Sequence, residues 1–201
     1  MKIVLASKNK HKLAEISRIT QRFGFELVLQ SELGIDLDVE ENGTTFEENS
    51  LIKAEAVMRA TGLPALADDS GICVEALNGA PGIYSARYGF DESLDDWGRL
   101  QLLLKNTESV PDGKRQAYFV CVITMVTPDG QTIQARGEIH GQLLREPRGA
   151  NGFGYDPIFY YPPLGLTTAE MSAEDKNQVS HRANALKRFN EKLKEAGYAD
   201  K

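Results

Sequence analysis

The chain is poor in the residues that mark several protein classes. Its 201 residues include two cysteines, one tryptophan, three histidines and no excess of positive charge. Cys73 and Cys121 lie in separate apolar stretches, so neither a metal-binding cysteine pair nor a disulfide framework is expected. Both read as buried, reduced thiols of a cytoplasmic protein. The net charge of -6 argues against nucleic acid or a membrane surface as partner, because either needs a basic face. The longest largely apolar run, Tyr118 to Val126, is nine residues with Thr124 inside it, far short of the roughly 20 of a spanning helix. Met1 to Ala6 is too short an apolar run for a signal peptide, and lysines follow it at once. Walker-type glycines are absent, and Gly149, Gly152 and Gly154 do not make a dinucleotide fingerprint. With no internal repeat, low-complexity tract or linker, residues 1–201 read as a single domain large enough for a real core.

What is present centres on Leu66-Ala67-Asp68-Asp69-Ser70-Gly71-Ile72. Ala65-Leu66-Ala67 and Ile72-Cys73-Val74 read as buried strand ends on either side of two adjacent acids. Carboxylates flanked by core segments are costly to desolvate unless a cation meets them. A divalent metal is one such cation, since Mg²⁺ takes one or two carboxylates together with substrate phosphates. An Asp-Asp-Ser-Gly turn is the other reading of the same residues.

Upstream, Lys2 to Ala6 is strand-like and breaks into Ser7-Lys8-Asn9-Lys10-His11-Lys12. Leu13, Ile16, Ile19 or Thr20, and Phe23 then share a helical face that Gly24 ends. The polar hexapeptide therefore sits at a strand-to-helix junction, where free N–H groups and the helix dipole favour anions. Ser7 and Asn9 can donate to phosphate oxygens and Lys12 adds a point charge, although a solvated lysine-rich turn has the same spelling. Phe25 to Leu29 reads as a second strand and Asp36 to Gly43 as an acidic loop. Thr45 and Glu48 have capping-box spacing for a helix from Phe46 to about Ala60, ended by Gly62 and Pro64. Leu51, Ala54 and Met58 can face the core. Lys53 lies near Glu48, Asn49 and Ile52 and is either functional or a solvated helix lysine.

Downstream, the central stretch leads into a strand to Leu77, and Gly79 to Tyr88 reads as a turn-rich, unperiodic loop of the functional kind. Leu94, Trp97, Leu100 and Leu104 mark an amphipathic helix. Gln116 to Val126 is a strand joined by Pro128-Asp129-Gly130 to a partner, Gln131 to Ile139. That pairing is antiparallel, so a mixed sheet is expected. In Arg145 to Phe159 the glycines permit close backbone approach to a ligand. Phe153 and Tyr155 offer faces for a planar base, and Asp156 offers an acceptor. Ser180 can cap a helix that carries Ala183, Leu186, Phe189 and Leu193 inward. His181 and Arg182 then fall in its first turn, where the dipole disfavours cations and an anionic ligand would remove the conflict.

Seven motifs in order, Ser7 to Lys12, Thr45 to Asn49, Ala67 to Gly71, Gly79 to Tyr88, Pro147 to Gly149, Gly152 to Phe159 and Ser180 to Arg182, resemble the inosine triphosphate pyrophosphatase family over nearly the whole chain. The resemblance implies an α/β fold, an elongated mixed sheet with flanking helices in two lobes around a central cleft, and a homodimer. It implies Mg²⁺-dependent hydrolysis of ITP, dITP and XTP, small-molecule purine nucleoside triphosphates, to the monophosphate and pyrophosphate. By matching motif, Ser7, Asn9 and Lys12 with Lys53 would hold the triphosphate, and Lys8, Lys10 and His11 of the same motif would bind substrate. Glu41 and Asp69 would bind Mg²⁺ with support from Asp68, and Asp69 would accept the proton. Ser70 would contact substrate, and Phe153, Gly154, Tyr155, Asp156, Lys176, His181 and Arg182 would surround the base. The stretch Asp95 to Leu103 departs from the family pattern, which usually has an asparagine and a lysine there. Two other readings stay open: a Maf-like pyrophosphatase with a different base pocket, and a nucleotide-binding module without turnover.

Overall fold

Among the described residues, seven strands form one sheet in the order β2-β1-β3-β4-β5-β6-β7. The structure, a computed structural model, describes residues 1–7 and 10–199. β1 (Lys2–Leu5) pairs in parallel with β2 (Glu26–Leu29) and with β3 (Ala65–Val74). β4 (Gln116–Val126) and β5 (Thr132–Leu143) follow, joined by the Pro128-Asp129-Gly130 turn. β6 (Phe159–Tyr161) and β7 (Leu166–Thr167) close the order with antiparallel pairings. The sheet is mixed, as expected. The helices are α1 (Lys10–Thr20), α2 (Phe46–Thr61), α3 (Asp96–Asn106), α4 (Ala173–Val179) and α5 (His181–Glu195).

The chain forms two compact units. One comprises residues 1–69, 121–137 and 184–201; the other comprises 70–120 and 138–183. In the first unit one apolar layer gathers Ile3, Leu5, Ile16, Leu66, Ile123, Leu186 and Phe189. A second layer gathers Val4, Ala54, Val57, Ala65, Ala67 and Val126. Alternate residues of β1 and of β3 therefore serve different layers, α1 and α5 covering the one and α2 the other, as the two-residue period of a strand requires. The second unit has its own core, built on Ile72, Leu100, Leu103, Phe119, Tyr155 and Phe159.

Several local expectations need correction. The Asp-Asp stretch is no turn: Ala65 to Val74 is one continuous strand with both acids inside it. That strand stops at Val74, and Glu75–Leu77 and Gly82–Arg87 are short turns of 3₁₀ helix. Helix α1 ends at Thr20, and Gln21–Phe23 finishes the run as 3₁₀ helix before Gly24 at φ 69°. Thr45 caps α2 by accepting from the Glu48 N–H at 3.1 Å, and the Glu48 carboxylate returns chiefly to the N–H and hydroxyl of Thr44, one residue before the cap. On α3 the buried residues are Leu100 and Leu103, with Leu104 partly buried against the same core; Trp97 is exposed and Leu94 precedes the helix. Helix α4 was not anticipated, although Ser172 caps it by accepting from the Asp175 N–H. Cys73 and Cys121 are buried and form no disulfide among the described residues.

Candidate functional site

The candidate residues fall into two groups, one in each unit. In the first unit, β1 delivers Ser7 just before α1, α1 delivers Lys12, the loop before α2 delivers Glu41, α2 delivers Lys53, and β3 delivers Asp68 and Asp69. Lys8 and Asn9 lie outside the described residues, and Lys10 and His11 open α1.

Adjacent residues of a strand point to opposite faces, and that rule sorts the two acids. Asp68 follows the face of Leu66, the α1 side, and Lys12 Nζ meets its Oδ1 at 2.9 Å. Asp69 follows the face of Ala67, the α2 side, and Lys53 Nζ meets its Oδ1 at 3.0 Å. The same ammonium reaches Glu41 Oε1 at 2.8 Å. Lys53 is therefore no solvated helix lysine; it bridges two carboxylates. Ser7, Glu41 and Lys53 line a cavity of about 170 Å³ together with Gln30, Leu37 and Asp38.

Burial pushes the Asp69 carboxyl above the usual carboxylate range, with Glu41 and Asp68 adding to it and Lys53 opposing. For Lys53, burial alone would lower the ammonium, but Asp69, Glu41 and Asp68 together outweigh it and raise its pKa. Asp69 Oδ2 is buried and has no hydrogen-bond partner among the described residues. A buried carboxylate oxygen without a donor is expensive in any fold, and here it sits beside a second acid whose charge a cation would also satisfy. Among the described residues no group of three or more His, Cys, Asp or Glu could hold a metal alone. Glu41 and Asp69 therefore suit a cation that takes its other ligands from water and phosphate, which is the habit of Mg²⁺.

The second unit holds Ser70, half-buried on β3, and the predicted base-side residues. Phe153 is exposed, and Lys176 Nζ lies 5.6 Å from its ring centroid. Asp156 is almost fully buried and already engaged. Its Oδ1 accepts from the Thr168 hydroxyl at 2.8 Å; its Oδ2 accepts from the Phe153 N–H at 2.9 Å and from Lys176 Nζ at 2.6 Å. Gly152, at φ 78°, permits this: a Cβ there would stand 2.1 Å from Asp156 Oδ2. Asp156 thus holds Lys176 and the glycine turn in place and is not an idle acceptor. Tyr155 does not offer a stacking face. It lies in the core with its hydroxyl donating to the Ser85 carbonyl at 2.8 Å, and burial raises its pKa. Gly154 sits at φ 59° between Phe153 and Tyr155.

Ser180 caps α5 by accepting from the Ala183 N–H at 3.2 Å, so His181 and Arg182 do open that helix. Both are buried, and the His181 ring stacks on Phe119, centroids 4.9 Å apart and planes 17° off parallel. The sequence reading did not single out Phe119, Thr168 or Gln30. Phe119 was legible only as one apolar residue of a strand. Thr168 and Gln30 carry no pattern that separates them from surface polar residues.

Comparison with known proteins adds the following. The model of the Ham1 family matches residues 3–192. A Shigella flexneri protein named dITP/XTP pyrophosphatase is 47% identical over 188 residues, 92% of this chain and 94% of that protein. The Staphylococcus aureus Ham1 protein structure superposes with a TM-score of 0.89 at 43% identity, covering 98% of this chain and 100% of that one. A HAM1 protein structure from Coxiella burnetii gives 0.90 at 43% identity, covering 97% and 99%.

Proposed function

Because the chain belongs to the Ham1 family, we propose that it hydrolyses non-standard purine nucleoside triphosphates, ITP, dITP and XTP, to the monophosphate and pyrophosphate. The relatives' name supports the substrate class. The observation that carries the chemistry is Lys53 set between Glu41 and Asp69, beside a buried Asp69 oxygen with no donor among the described residues.

In this reading Glu41 and Asp69 hold Mg²⁺ and Asp68 adds negative charge behind them. The ion, when bound, supplies charge neutralisation at the phosphoryl oxygens. Ser7, Lys12 and Lys53 bind and orient the phosphates, with Lys8, Asn9, Lys10 and His11 at the same junction. Asp69 accepts the proton of the attacking water. On the base side, Phe153 stacks without discriminating, because every base has a π-face. Lys176, His181 and Arg182 donate to the 6-keto group that separates these purines from adenine. Donors left facing an amine would be unpaired, and sites built on hydrogen bonds reject such analogues by about 10⁴–10⁵. The two buried thiols, in no disulfide among the described residues, support a cytoplasmic setting. No helix of the described residues is long and apolar enough to cross a membrane. The homodimer rests on the family resemblance.

The test is pyrophosphate release from ITP, XTP, dITP, GTP and ATP, with Mg²⁺ and with a chelator. We expect release from the first three to exceed that from ATP greatly and to stop in chelator, and His181→Ala to narrow the preference. Orthophosphate as product, full activity in chelator, or equal rates on ATP and ITP would overturn the proposal.

A further inference from the structure

Glu41 lies in a segment, residues 35–45, that contains neither helix nor strand. Its carboxylate nevertheless stands 2.8 Å from Lys53 Nζ. Two buried amides account for this placement. Gln30, 4% exposed just after β2, donates from Nε2 to the Leu37 carbonyl at 3.0 Å. Asn49, wholly buried on α2, accepts at Oδ1 from the Gly43 N–H at 2.9 Å. The two bonds grip the segment on either side of Glu41. At the second grip the backbone comes so close that a Cβ on Gly43 would stand 2.7 Å from both Asn49 Oδ1 and Glu48 Cβ. Each amide spends one end on the segment. The other ends, Gln30 Oε1 and Asn49 Nδ2, are buried and have no hydrogen-bond partner among the described residues.

We propose that Gln30 and Asn49 are positioning residues that clamp the Glu41 segment and so set the affinity of the Glu41–Asp69 pair for its divalent cation. The inference rests on the metal-dependent reading above. A carboxylate on an untethered segment must be ordered when the cation binds, and that ordering is subtracted from affinity; tethers on both sides remove the cost beforehand. A purely space-filling role would be served by a leucine or methionine, which would leave no amide end without a partner.

The experiment titrates Mn²⁺ alone, without nucleotide, against wild type, Gln30→Met, Asn49→Leu and Gly43→Ala, reading free Mn²⁺ by electron paramagnetic resonance. Circular dichroism and melting of the metal-free proteins run alongside. Gly43→Ala leaves both amides intact and lies outside the core, so it reports on the clamp even if an amide variant fails to fold. Partners that orient a metal ligand are typically worth about 10–100-fold in metal affinity. We therefore expect the Mn²⁺ dissociation constant to rise about 10-fold or more in Gly43→Ala and in each folded amide variant. Half-saturating Mg²⁺ in the pyrophosphate assay should rise in parallel, with kcat at saturating Mg²⁺ changed less. Wild-type Mn²⁺ affinity in Gly43→Ala and in every folded amide variant would overturn the clamp while leaving the metal reading standing. A wild type that binds no Mn²⁺ would overturn both.

Discussion

Lys176 Nζ donates to Asp156 Oδ2 at 2.6 Å, across 20 residues of sequence. The carboxylate is the more buried partner, and it also serves the Phe153 N–H and the Thr168 hydroxyl. Removing either partner therefore has unequal consequences.

Asp156→Ala should be the more damaging change. It leaves a partly buried ammonium and a backbone N–H without their acceptor, while the Thr168 hydroxyl keeps only the main-chain carbonyl of Asp156 at 3.1 Å, at a cost of about 3 kcal/mol or more. Lys176→Ala leaves Asp156 with two donors and should cost clearly less. Melting temperatures of the two variants check the order; a Lys176→Ala protein that melts below Asp156→Ala would refute it.

Lys53→Ala removes the ammonium that joins Glu41 to Asp69. We expect it to lose about 10²-fold or more in turnover and to melt lower than wild type without metal. Because Lys53 is raised above its ordinary value, its stabilisation is present below the unfolded lysine pKa and is lost as pH rises through the folded one. The gap between variant and wild type should thus persist through neutral pH and close only in strong alkali. Mg²⁺ should raise the melting temperature of Lys53→Ala more than that of wild type, since the ion then meets no competing ammonium. An equal Mg²⁺ effect on both would count against a shared position.

Asp69 has the opposite sign. Its folded pKa lies above the ordinary carboxylate value, so ionised Asp69 costs stability above the folded pKa, and the cost vanishes below the unfolded one. Asp69→Asn should lose about 10²–10⁴-fold in turnover yet melt no lower than wild type at neutral pH. The difference in melting temperature should shrink as pH falls through the carboxylate range. A variant that melts well below wild type at pH 7 would mean that the Lys53 pair outweighs the burial.

Tyr155→Phe separates a core residue from a ligand-stacking one. It removes the hydroxyl from the Ser85 carbonyl, which should cost about 1–2 kcal/mol, or roughly 3–6 °C in Tm. The ratio of ITP to ATP turnover should stay as in wild type. Phe153→Ala should do the reverse, weakening all purines alike with little change in melting.

Much of this was legible in the chain itself, for identifiable reasons. Thr45, Gly62 and the Pro128-Asp129-Gly130 turn each satisfy a local backbone need, so their neighbours reveal them. Helix α5 shows through the spacing of Ala183, Leu186, Phe189 and Leu193. Other features depend on partners distant in sequence. The inward faces of α2 and α3 are set by what they pack on, which is why Val57 and Asn49 are buried while Trp97 is not. Tyr155 and Asp156 were both read as ligand groups because an aromatic and an acid beside glycines have that look. Only Ser85, Thr168 and Lys176, brought in from elsewhere, reveal that the hydroxyl and the carboxylate are already engaged. The family resemblance supplied the order of motifs, but not the fact that a single ammonium spans Glu41 and Asp69.

The pleat of β3 makes Asp68 and Asp69 neighbours in sequence but strangers in space. Each has its own lysine on its own side of the strand, so the dipeptide is two addresses rather than one duplicated acid. Neither can deputise for the other: an aspartate at 68 cannot rescue a lost one at 69, because rotating it there would turn every apolar neighbour of the strand inside out. The same partition frees the two sides to vary separately. A substitution on α1 that weakens Lys12 alters Asp68 directly but reaches Asp69 only through the field across the backbone, so the two helices can be tuned one at a time.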